Sequence, residues 1–274
     1  MPRPLGVSST MLGEQLTAEA LREAAARGIT HLELFVPPDG CACATEVEFL
    51  RIAAMIEEAG MTAWAVHAPF GEGIDLSAPD ELVRREALGQ VLRACKVAGL
   101  LGANCAVVHA GLATGDDQER QARRRQSLRS LNCLLKSTIR LGTRLAVEYL
   151  PGNKPRLCNN SAEILDIFGF CDGTPGVCLD TNHVNLREDL AEATRTLADR
   201  IVTLHLSDND GEREMHQMPG EGVIDWTEFM AVLDEIGYNG PLLYETAPGD
   251  SLERCLDETV RSAREVLGWE GPDD

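Results

Sequence analysis

Basic residues are scarce in this chain. It has 25 Lys and Arg against 44 Asp and Glu, which gives a formal net charge of -19 at pH 7. Because phosphates and anionic lipids attract clustered Lys and Arg, this balance argues against broad binding to nucleic acids or membranes. The densest basic cluster, residues 120–129, falls on a predicted helix among acids and amides, which indicates a solvated helix face. We therefore expect neither nucleic acid nor a membrane as a partner.

Long apolar runs and linkers are also missing. No stretch approaches the ~20 apolar residues that span a bilayer, and the opening MPRPLGVSSTML lacks the apolar segment of a signal peptide. No Ser-, Pro- or Gly-rich linker interrupts the 274 residues, 44% of which are hydrophobic, so we expect one domain over 1–274.

The cysteines give a further prediction about the setting of the protein. There are nine, an odd number, and those in apolar segments are expected to be small buried hydrophobes: Cys95, Cys105, Cys133 and Cys178. Cys41 and Cys43 form a CxC pair without a second pair nearby, which is not the pattern of a zinc ribbon. These features favour a reduced, cytoplasmic setting.

Short apolar runs alternate with helical periods along the whole chain. The predicted strands cover residues 5–8, 31–36, 62–67, 104–109, 144–150, 176–180, 201–206 and 241–245. Helical segments follow them near residues 17–27, 45–59, 79–100, 117–141, 161–169, 188–198, 226–236 and 250–267. This α/β pattern predicts a single (β/α)8 TIM barrel. A doubly wound open sheet is the alternative, but Ser8-Ser9-Thr10-Met11 stands where its Gly-rich dinucleotide loop would follow the first strand, and no organic cofactor is expected.

Residues that suit a metal site fall at one end of this predicted barrel. Five of the six histidines and three acids lie at the carboxyl ends of strands or just beyond them: His67, His109, His183, His205, His216, Glu148, Asp180 and Glu245. These strand ends share one face of a TIM barrel, and an unpaired carboxylate in an apolar core is costly unless it meets a cation. The set best suited to a metal is Glu148, Asp180, His205 and Glu245. Three carboxylates and one imidazole predict a divalent metal, with Mn, Zn, Mg and Co all left open.

The loop after the seventh strand carries further polar residues. The stretch IVTLHLSDNDGEREMHQMPGEGVIDW places Asp208 close to His205, and Glu214 and His216 further along, before Asp225 begins a new helix. Earlier in the chain, Glu33 in HLELFV has two interpretations, because it could point into the barrel mouth or outward from its strand.

Several of these motifs together resemble one known superfamily. HAPF, VVHAG, AVEYLP, GVCLDTNH, LHLSD, H-x-x-P-G-E-G-x-I-D-W and LLYET are similar to motifs of the xylose isomerase-like TIM-barrel superfamily, which includes sugar isomerases, sugar epimerases and endonuclease IV. The resemblance runs from the first strand to the last. It implies that Glu148, Asp180, His205 and Glu245 hold one metal, that the two glutamates also move substrate protons, and that His183 contacts the substrate.

The same resemblance also extends toward the nuclease. On that side it implies additional metal or substrate contacts from His67, His109, His183, Glu214 and His216, with Glu-x-His standing where endonuclease IV has Asp-x-His. Two departures point in opposite directions. The chain lacks the arginine that many epimerases carry near the position of His216, and the stretch 149–153 differs from the polar, glycine-containing stretch expected of the nuclease.

The leading hypothesis is a metal-dependent isomerase or epimerase of a small carbohydrate or related hydroxy-carbonyl compound. The resemblance implies proton transfer by Glu148 and Glu245 through a metal-stabilised enediolate. An endonuclease IV-like phosphoesterase with two or three zinc ions is the alternative, and a dehydratase or lyase using the same enolate chemistry is a third hypothesis. A barrel that has lost catalysis and only binds is a fourth. A homo-oligomer is compatible with the sequence.

Overall fold

The computed structural model describes residues 3–38 and 45–271, and within them eight parallel strands form one sheet. The strands are β1 (Leu5–Ser8), β2 (Ile29–Phe35), β3 (Thr62–His67), β4 (Cys105–Val108), β5 (Arg144–Glu148), β6 (Gly176–Asp180), β7 (Ile201–His205) and β8 (Leu242–Tyr244). Strands β1 to β7 pair in chain order, and β8 pairs with β1. A bridge between Leu206 and Tyr244 joins the ends of β7 and β8, so the sheet closes into the predicted TIM barrel.

Helices connect these strands around the outside of the barrel. They are α1 (Ala18–Ala26), α2 (Glu46–Glu58), α3 (Glu81–Leu101), α4 (Asp117–Leu141), α5 (Ser161–Phe168), α6 (Thr181–Asn185), α7 (Leu190–Leu197), α8 (Trp226–Glu235) and α9 (Leu252–Glu265). The short α6 was not predicted. It begins directly after β6 because the Asp180 side chain accepts a hydrogen bond from the backbone N–H of His183 at 2.9 Å and caps the turn.

Some predicted strand ends were too long. The predicted strand 144–150 stops at Glu148, and the predicted strand 104–109 stops at Val108. Beyond β5 the chain turns away from the sheet: Tyr149 still donates its N–H to Cys178, but the N–H of Leu150 goes to the carbonyl of Cys158 in the following loop. The residues past these two strand ends therefore belong to loops at the barrel mouth.

The apolar core has two layers. The larger layer fills the space between the barrel wall and the helices, with strand residues such as Leu32, Val66 and Leu204. A smaller cluster of buried side chains comes from alternate positions of β3 to β6, and its members are Ala65, Cys105, Val107, Ala146 and Cys178. Because side chains alternate between the two faces of a strand, the smaller cluster is the floor inside the barrel.

This floor sets the position of the candidate site. Two residues further along their strands or just past the strand end come His67, His109, Glu148 and Asp180, after Ala65, Val107, Ala146 and Cys178 respectively. A spacing of two residues keeps a side chain on the same face of an extended chain. The polar residues therefore face the barrel interior directly above a layer of small apolar side chains.

The described cysteines are mostly packing residues, with one correction. Cys95, Cys105 and Cys178 are buried, and burial raises the pKa of the Cys95 and Cys105 thiols to about 12. Cys133 is exposed, so the prediction that it is buried was wrong. It lies on α4 between Leu131 and Leu134, which are both buried, and the helical period turns it outward. Cys41 and Cys43 lie outside the described residues.

No helix in residues 3–38 and 45–271 is both long and apolar enough to cross a bilayer.

Candidate active site and metal centre

Glu148 is at the centre of the polar cluster above the barrel floor. Its carboxylate is 2% exposed, and its Oε2 lies 3.0 Å from His67 Nε2 and 2.8 Å from His109 Nε2. Its Oε1 lies 3.3 Å from His183 Nδ1 and 3.6 Å from His205 Nδ1. Burial alone would raise the pKa of this carboxyl, but His109 and the other imidazoles hold the pKa well below its usual range. Glu148 is therefore a buried carboxylate surrounded by four imidazoles.

The four residues of the predicted metal set meet at one point. One donor atom from each of Glu148, Asp180, His205 and Glu245 lies within 4.8 Å of the other three. His205 Nδ1 is 3.0 Å from Glu245 Oε2 and 3.8 Å from Asp180 Oδ2. Burial raises the pKa of Asp180, whereas His205 lowers the pKa of Glu245 to about 2 against the opposing effect of burial.

Two of these donor atoms have the surroundings expected of metal ligands. Among the described residues, His205 Nδ1 and Asp180 Oδ2 are buried and form no hydrogen bond of acceptable geometry, although Glu245 Oε2 lies 3.0 Å from His205 Nδ1. Buried polar atoms are normally satisfied, and a cation enclosed by these atoms would satisfy both. Three carboxylates and one imidazole are also a donor set that suits a divalent cation. The residues present therefore fit the metal that the sequence predicts.

Glu33 points into the barrel, which decides between the two interpretations of this residue. It is fully buried on β2, and its Oε2 accepts a hydrogen bond from His205 Nε2 at 3.0 Å. In the sheet register Glu33 pairs with Ala65, a residue of the barrel floor. The sequence carried a usable signal, because Glu33 lies between Leu32 and Leu34 in a strand that the barrel buries on both faces.

A second group of donors lies beside the first. Glu214 Oε1 is 3.5 Å from both His183 Nε2 and His216 Nε2, and these three residues form another cluster that could hold an ion. The other carboxylate oxygen of Glu214 pairs with Lys154 Nζ. His183 and His216 hold the pKa of Glu214 well below its usual range. His67, His109 and Glu148 form a third cluster of the same kind.

Every residue predicted for the site thus lies in one region of the barrel mouth, and the backbone orients several of the imidazoles. His183 Nδ1 is 2.9 Å from the carbonyl oxygen of Tyr149, and His67 Nδ1 is 2.7 Å from that of Ala68. A carbonyl oxygen can only accept, so it fixes a proton on each Nδ1. The Nε2 atoms of both rings therefore face the other members of the cluster.

Asp208 is not part of this centre, although the sequence grouped it with His205. Both of its carboxylate oxygens are occupied: Oδ2 accepts from Gly220 N at 2.9 Å and Trp226 Nε1 at 2.8 Å, and Oδ1 accepts from Ile224 N at 3.2 Å. Its role is to tie the loop after β7 to the start of α8.

One wall of the site is aromatic. The ring of Phe70 stacks on His109 with ring centroids 4.3 Å apart and meets Phe35 edge-on. Phe70 is 44% exposed and lies at the opening of the site. The sequence motif HAPF contains this residue, but nothing in its spacing indicated that the ring covers an imidazole.

This fold, with its donors at the carboxyl ends of the strands, defines a TIM barrel with a candidate metal centre. The chain belongs to the xylose isomerase-like TIM barrel family, whose family model matches residues 21–269.

Named relatives in this family include sugar 3-epimerases. An L-ribulose 3-epimerase from Methylomonas sp. (strain DH-1) is 24% identical over 217 residues, which cover 76% of this chain and 72% of that enzyme. A D-psicose 3-epimerase from Ruminiclostridium cellulolyticum is 30% identical over 122 residues, or 44% of this chain and 40% of the enzyme. The crystal structure of a D-tagatose 3-epimerase-like protein matches with a TM-score of 0.83 at 22% identity and covers 98% of both chains, a likeness of fold.

Proposed function

We propose that this protein is a metal-dependent epimerase or isomerase of a small carbohydrate or a related hydroxy-carbonyl compound. The observation that carries the proposal is the pair Glu148 and Glu245. Glu148 is buried and Glu245 is half-buried; they come from the ends of β5 and β8, with β6 and β7 between them, and both lie beside His205 Nδ1, at 3.6 and 3.0 Å. Two carboxylates around one metal set can act on a bound carbon from two sides. The 3-epimerases among the relatives support the same substrate class.

The proposed chemistry divides between the metal and the two glutamates. A divalent ion (Mn, Zn, Mg or Co) held by Glu148, Asp180, His205 and Glu245 would act as a Lewis acid toward a carbonyl and its neighbouring hydroxyl. One of Glu148 and Glu245 takes the proton from the carbon beside the carbonyl. The other, which is in its carboxylic acid form in the complex with substrate, gives its proton to the opposite face of that carbon, so the configuration inverts and the two glutamates exchange protonation states.

The surrounding residues would bind and orient the substrate. His183 and His216 lie beside Glu214 with their Nε2 atoms facing it, so they can orient substrate hydroxyl groups. The Phe70 ring forms the apolar wall at the opening. The barrel floor of small apolar side chains keeps water away from the lower side of the two glutamates, which strengthens their interaction with the substrate.

Turnover of a sugar panel tests this proposal. The panel contains D-psicose, D-tagatose, D-fructose and L-ribulose, and product analysis separates epimerisation from a dehydratase or lyase reaction with the same enolate chemistry. We expect turnover that requires a divalent metal, and we expect Glu148→Gln and Glu245→Gln each to lower kcat by about 10²- to 10⁴-fold, because each removes one proton-transfer group. Asp210→Asn is the matched control, since Asp210 pairs with Arg213 in the loop after β7 and lies outside the donor clusters.

Two outcomes would contradict the proposal in different ways. Normal turnover in Glu148→Gln or Glu245→Gln would contradict the assigned proton transfers. A metal-loaded protein that converts no sugar of the panel would contradict the substrate class.

A phosphoesterase with two or three zinc ions is the second candidate, and one observation favours it. Besides the four-residue set, His67, His109 and Glu148 form one cluster of donors, and His183, Glu214 and His216 form another. Glu148 belongs to two of these sets and could bridge two ions. Two or three zinc ions per chain in elemental analysis, together with cleavage of abasic-site DNA, would place this candidate above the epimerase. One ion per chain and sugar turnover would exclude it.

A further inference from the structure

Glu33 is a buried acid in an otherwise apolar setting. It has no exposed surface, its neighbours along β2 are Leu32 and Leu34, and its register partner on β3 is Ala65. A carboxylate without water is costly unless it is hydrogen-bonded, and an apolar residue would serve packing alone better at this position. The contribution of Glu33 to packing therefore does not explain why an acid occupies this position.

Glu33 contacts one nitrogen of the His205 imidazole. His205 Nε2 lies 3.0 Å from both carboxylate oxygens of Glu33. Glu33 comes from β2 and His205 from β7, so the contact crosses the barrel interior past β1 and β8. Among the described residues, the groups of donors that could hold an ion do not include Glu33. The polar contact that the structure shows for Glu33 is therefore with His205.

The two nitrogens of His205 have different surroundings. Nε2 is held by Glu33, while Nδ1 faces Glu245 Oε2 at 3.0 Å, Glu148 Oε1 at 3.6 Å and Asp180 Oδ2 at 3.8 Å. A cation bound among the three carboxylates excludes a proton from Nδ1, and the carboxylate of Glu33 then holds the one remaining ring proton on Nε2, so that the lone pair of Nδ1 points toward the cation. Glu33 also fixes the rotation of the ring and makes Nδ1 a stronger electron donor.

We propose that Glu33 is a positioning residue for the metal centre: it holds the Nε2–H of His205 and thereby sets Nδ1 as the ligand atom. This inference rests on the metal site of the proposed function. It assigns a role to a strand, β2, that supplies none of the four proposed ligands.

Metal affinity tests the proposal without depending on the reaction. Isothermal titration with Mn²⁺ is carried out on the full chain and on Glu33→Gln, which keeps the shape and a neutral acceptor but loses the charge. Glu33→Met, which keeps the length and loses the acceptor, completes the series. Loss of such a partner weakens metal binding by about 10- to 100-fold, so we expect the larger loss in Glu33→Met and a loss near tenfold in Glu33→Gln. Thr203→Val is the matched control, because Thr203 is equally buried, lies two residues before His205, and accepts a hydrogen bond from Trp64 Nε1.

A spectroscopic readout separates positioning from general support of the fold. In the Zn²⁺-loaded protein with ¹⁵N-labelled histidine, we expect His205 to coordinate through Nδ1 and to carry a proton on Nε2. Coordination through Nε2 would overturn the proposal, since that nitrogen could not then donate to Glu33.

The remaining outcomes each decide something different. A Mn²⁺ dissociation constant in Glu33→Gln equal to that of the wild type overturns the role of Glu33 alone and leaves the metal site intact. A wild-type chain that binds no divalent ion overturns both the inference and the metal-dependent part of the proposed function. An equal loss in Thr203→Val would assign the effect to disturbance of the barrel interior and would also overturn the inference.

Discussion

Asp180 and Asp208 are both fully buried near the barrel mouth, yet their carboxylates have opposite surroundings. Asp208 accepts hydrogen bonds on both oxygens, including two from Gly220 and Trp226. Asp180 uses Oδ1 to cap α6, and its Oδ2 accepts no hydrogen bond from the described residues. A carboxylate that is fully hydrogen-bonded holds the backbone, whereas one with a free buried oxygen is prepared for a ligand. The number of hydrogen-bond donors around each carboxylate therefore distinguishes the structural aspartate, Asp208, from the proposed metal ligand, Asp180.

Replacing Asp208 by Asn tests its structural role. In Asp208→Asn an amide nitrogen, which cannot accept a hydrogen bond, would face N–H groups that now donate to the carboxylate. We therefore expect this variant to lower the free energy of unfolding by about 1–3 kcal/mol. Urea unfolding followed by circular dichroism measures the loss. Asp210→Asn nearby should change the unfolding transition much less, because the Asp210 side chain pairs with Arg213 near the surface and its Oδ1 accepts the N–H groups of Glu212 and Arg213, which an amide oxygen can still accept. Equal losses in the two variants would contradict the special role of Asp208.

The loop between β7 and α8 contains two glycines, and a different structural constraint requires glycine at each position. Gly220 has a φ of 95°, a backbone conformation that other residues rarely adopt. A Cβ at Gly222 would clash with the carbonyl oxygen of Asn209 and with the Asp208 carboxylate. The motif Pro219-Gly220-Glu221-Gly222 is therefore a tight turn packed against Asp208.

A pair of Gly-to-Ala variants tests this account of the loop. Gly222→Ala should cost about 1–3 kcal/mol, since extra volume in a packed site forces its neighbours to shift. Gly89 lies on the exposed side of α3, and a Cβ there meets nothing within 4 Å. Gly89→Ala should therefore stabilise the chain by about 0.5–1 kcal/mol through the helix propensity of alanine. Thermal or urea unfolding measures both, and a stabilising Gly222→Ala would be incompatible with the packing described.

The sequence predicts well whatever depends on local spacing. Strand positions follow from apolar runs, and the placement of Glu148, Asp180, His205 and Glu245 follows from the rule that parallel strands end on one face. What depends on distant partners could not be predicted. Glu33 contacts His205, which lies 172 positions further along the chain. The groups that donate hydrogen bonds to Asp208 come from residues 220 to 226, which the following turn brings back to it. The sequence around these two acids does not show whether such a residue binds the metal itself or only forms hydrogen bonds with other residues.

The whole chain should respond to the metal as one folded unit. The proposed ligands come from the ends of four successive strands, β5 to β8, so the unfolded chain cannot present them together. A ligand that binds only the native state stabilises it by about 2.7 kcal/mol when its concentration is 100 times the dissociation constant.

We therefore expect a thermal shift on metal removal. For a chain of this size each kcal/mol corresponds to about 2–4 °C, so saturating Mn²⁺ should raise Tm by about 5–10 °C and excess EDTA should reverse the change. Differential scanning calorimetry measures it. Asp180→Asn removes one proposed ligand and should lose most of the shift. A wild-type Tm that is indifferent to Mn²⁺, Co²⁺, Zn²⁺ and EDTA would argue against a metal bound at this position.

The rule that places the donors two residues above the barrel floor also divides the chain into parts that can change independently. Three of the four proposed ligands are the last residues of strands in the barrel wall and Glu245 directly follows β8, whereas Phe70 and Glu214 belong to the loops above it. Loops can gain, lose or exchange residues while the wall keeps its register. New substrates can then arise by replacing what surrounds the donors, and a designer could transplant loops between barrels of this family without rebuilding the chemistry beneath them.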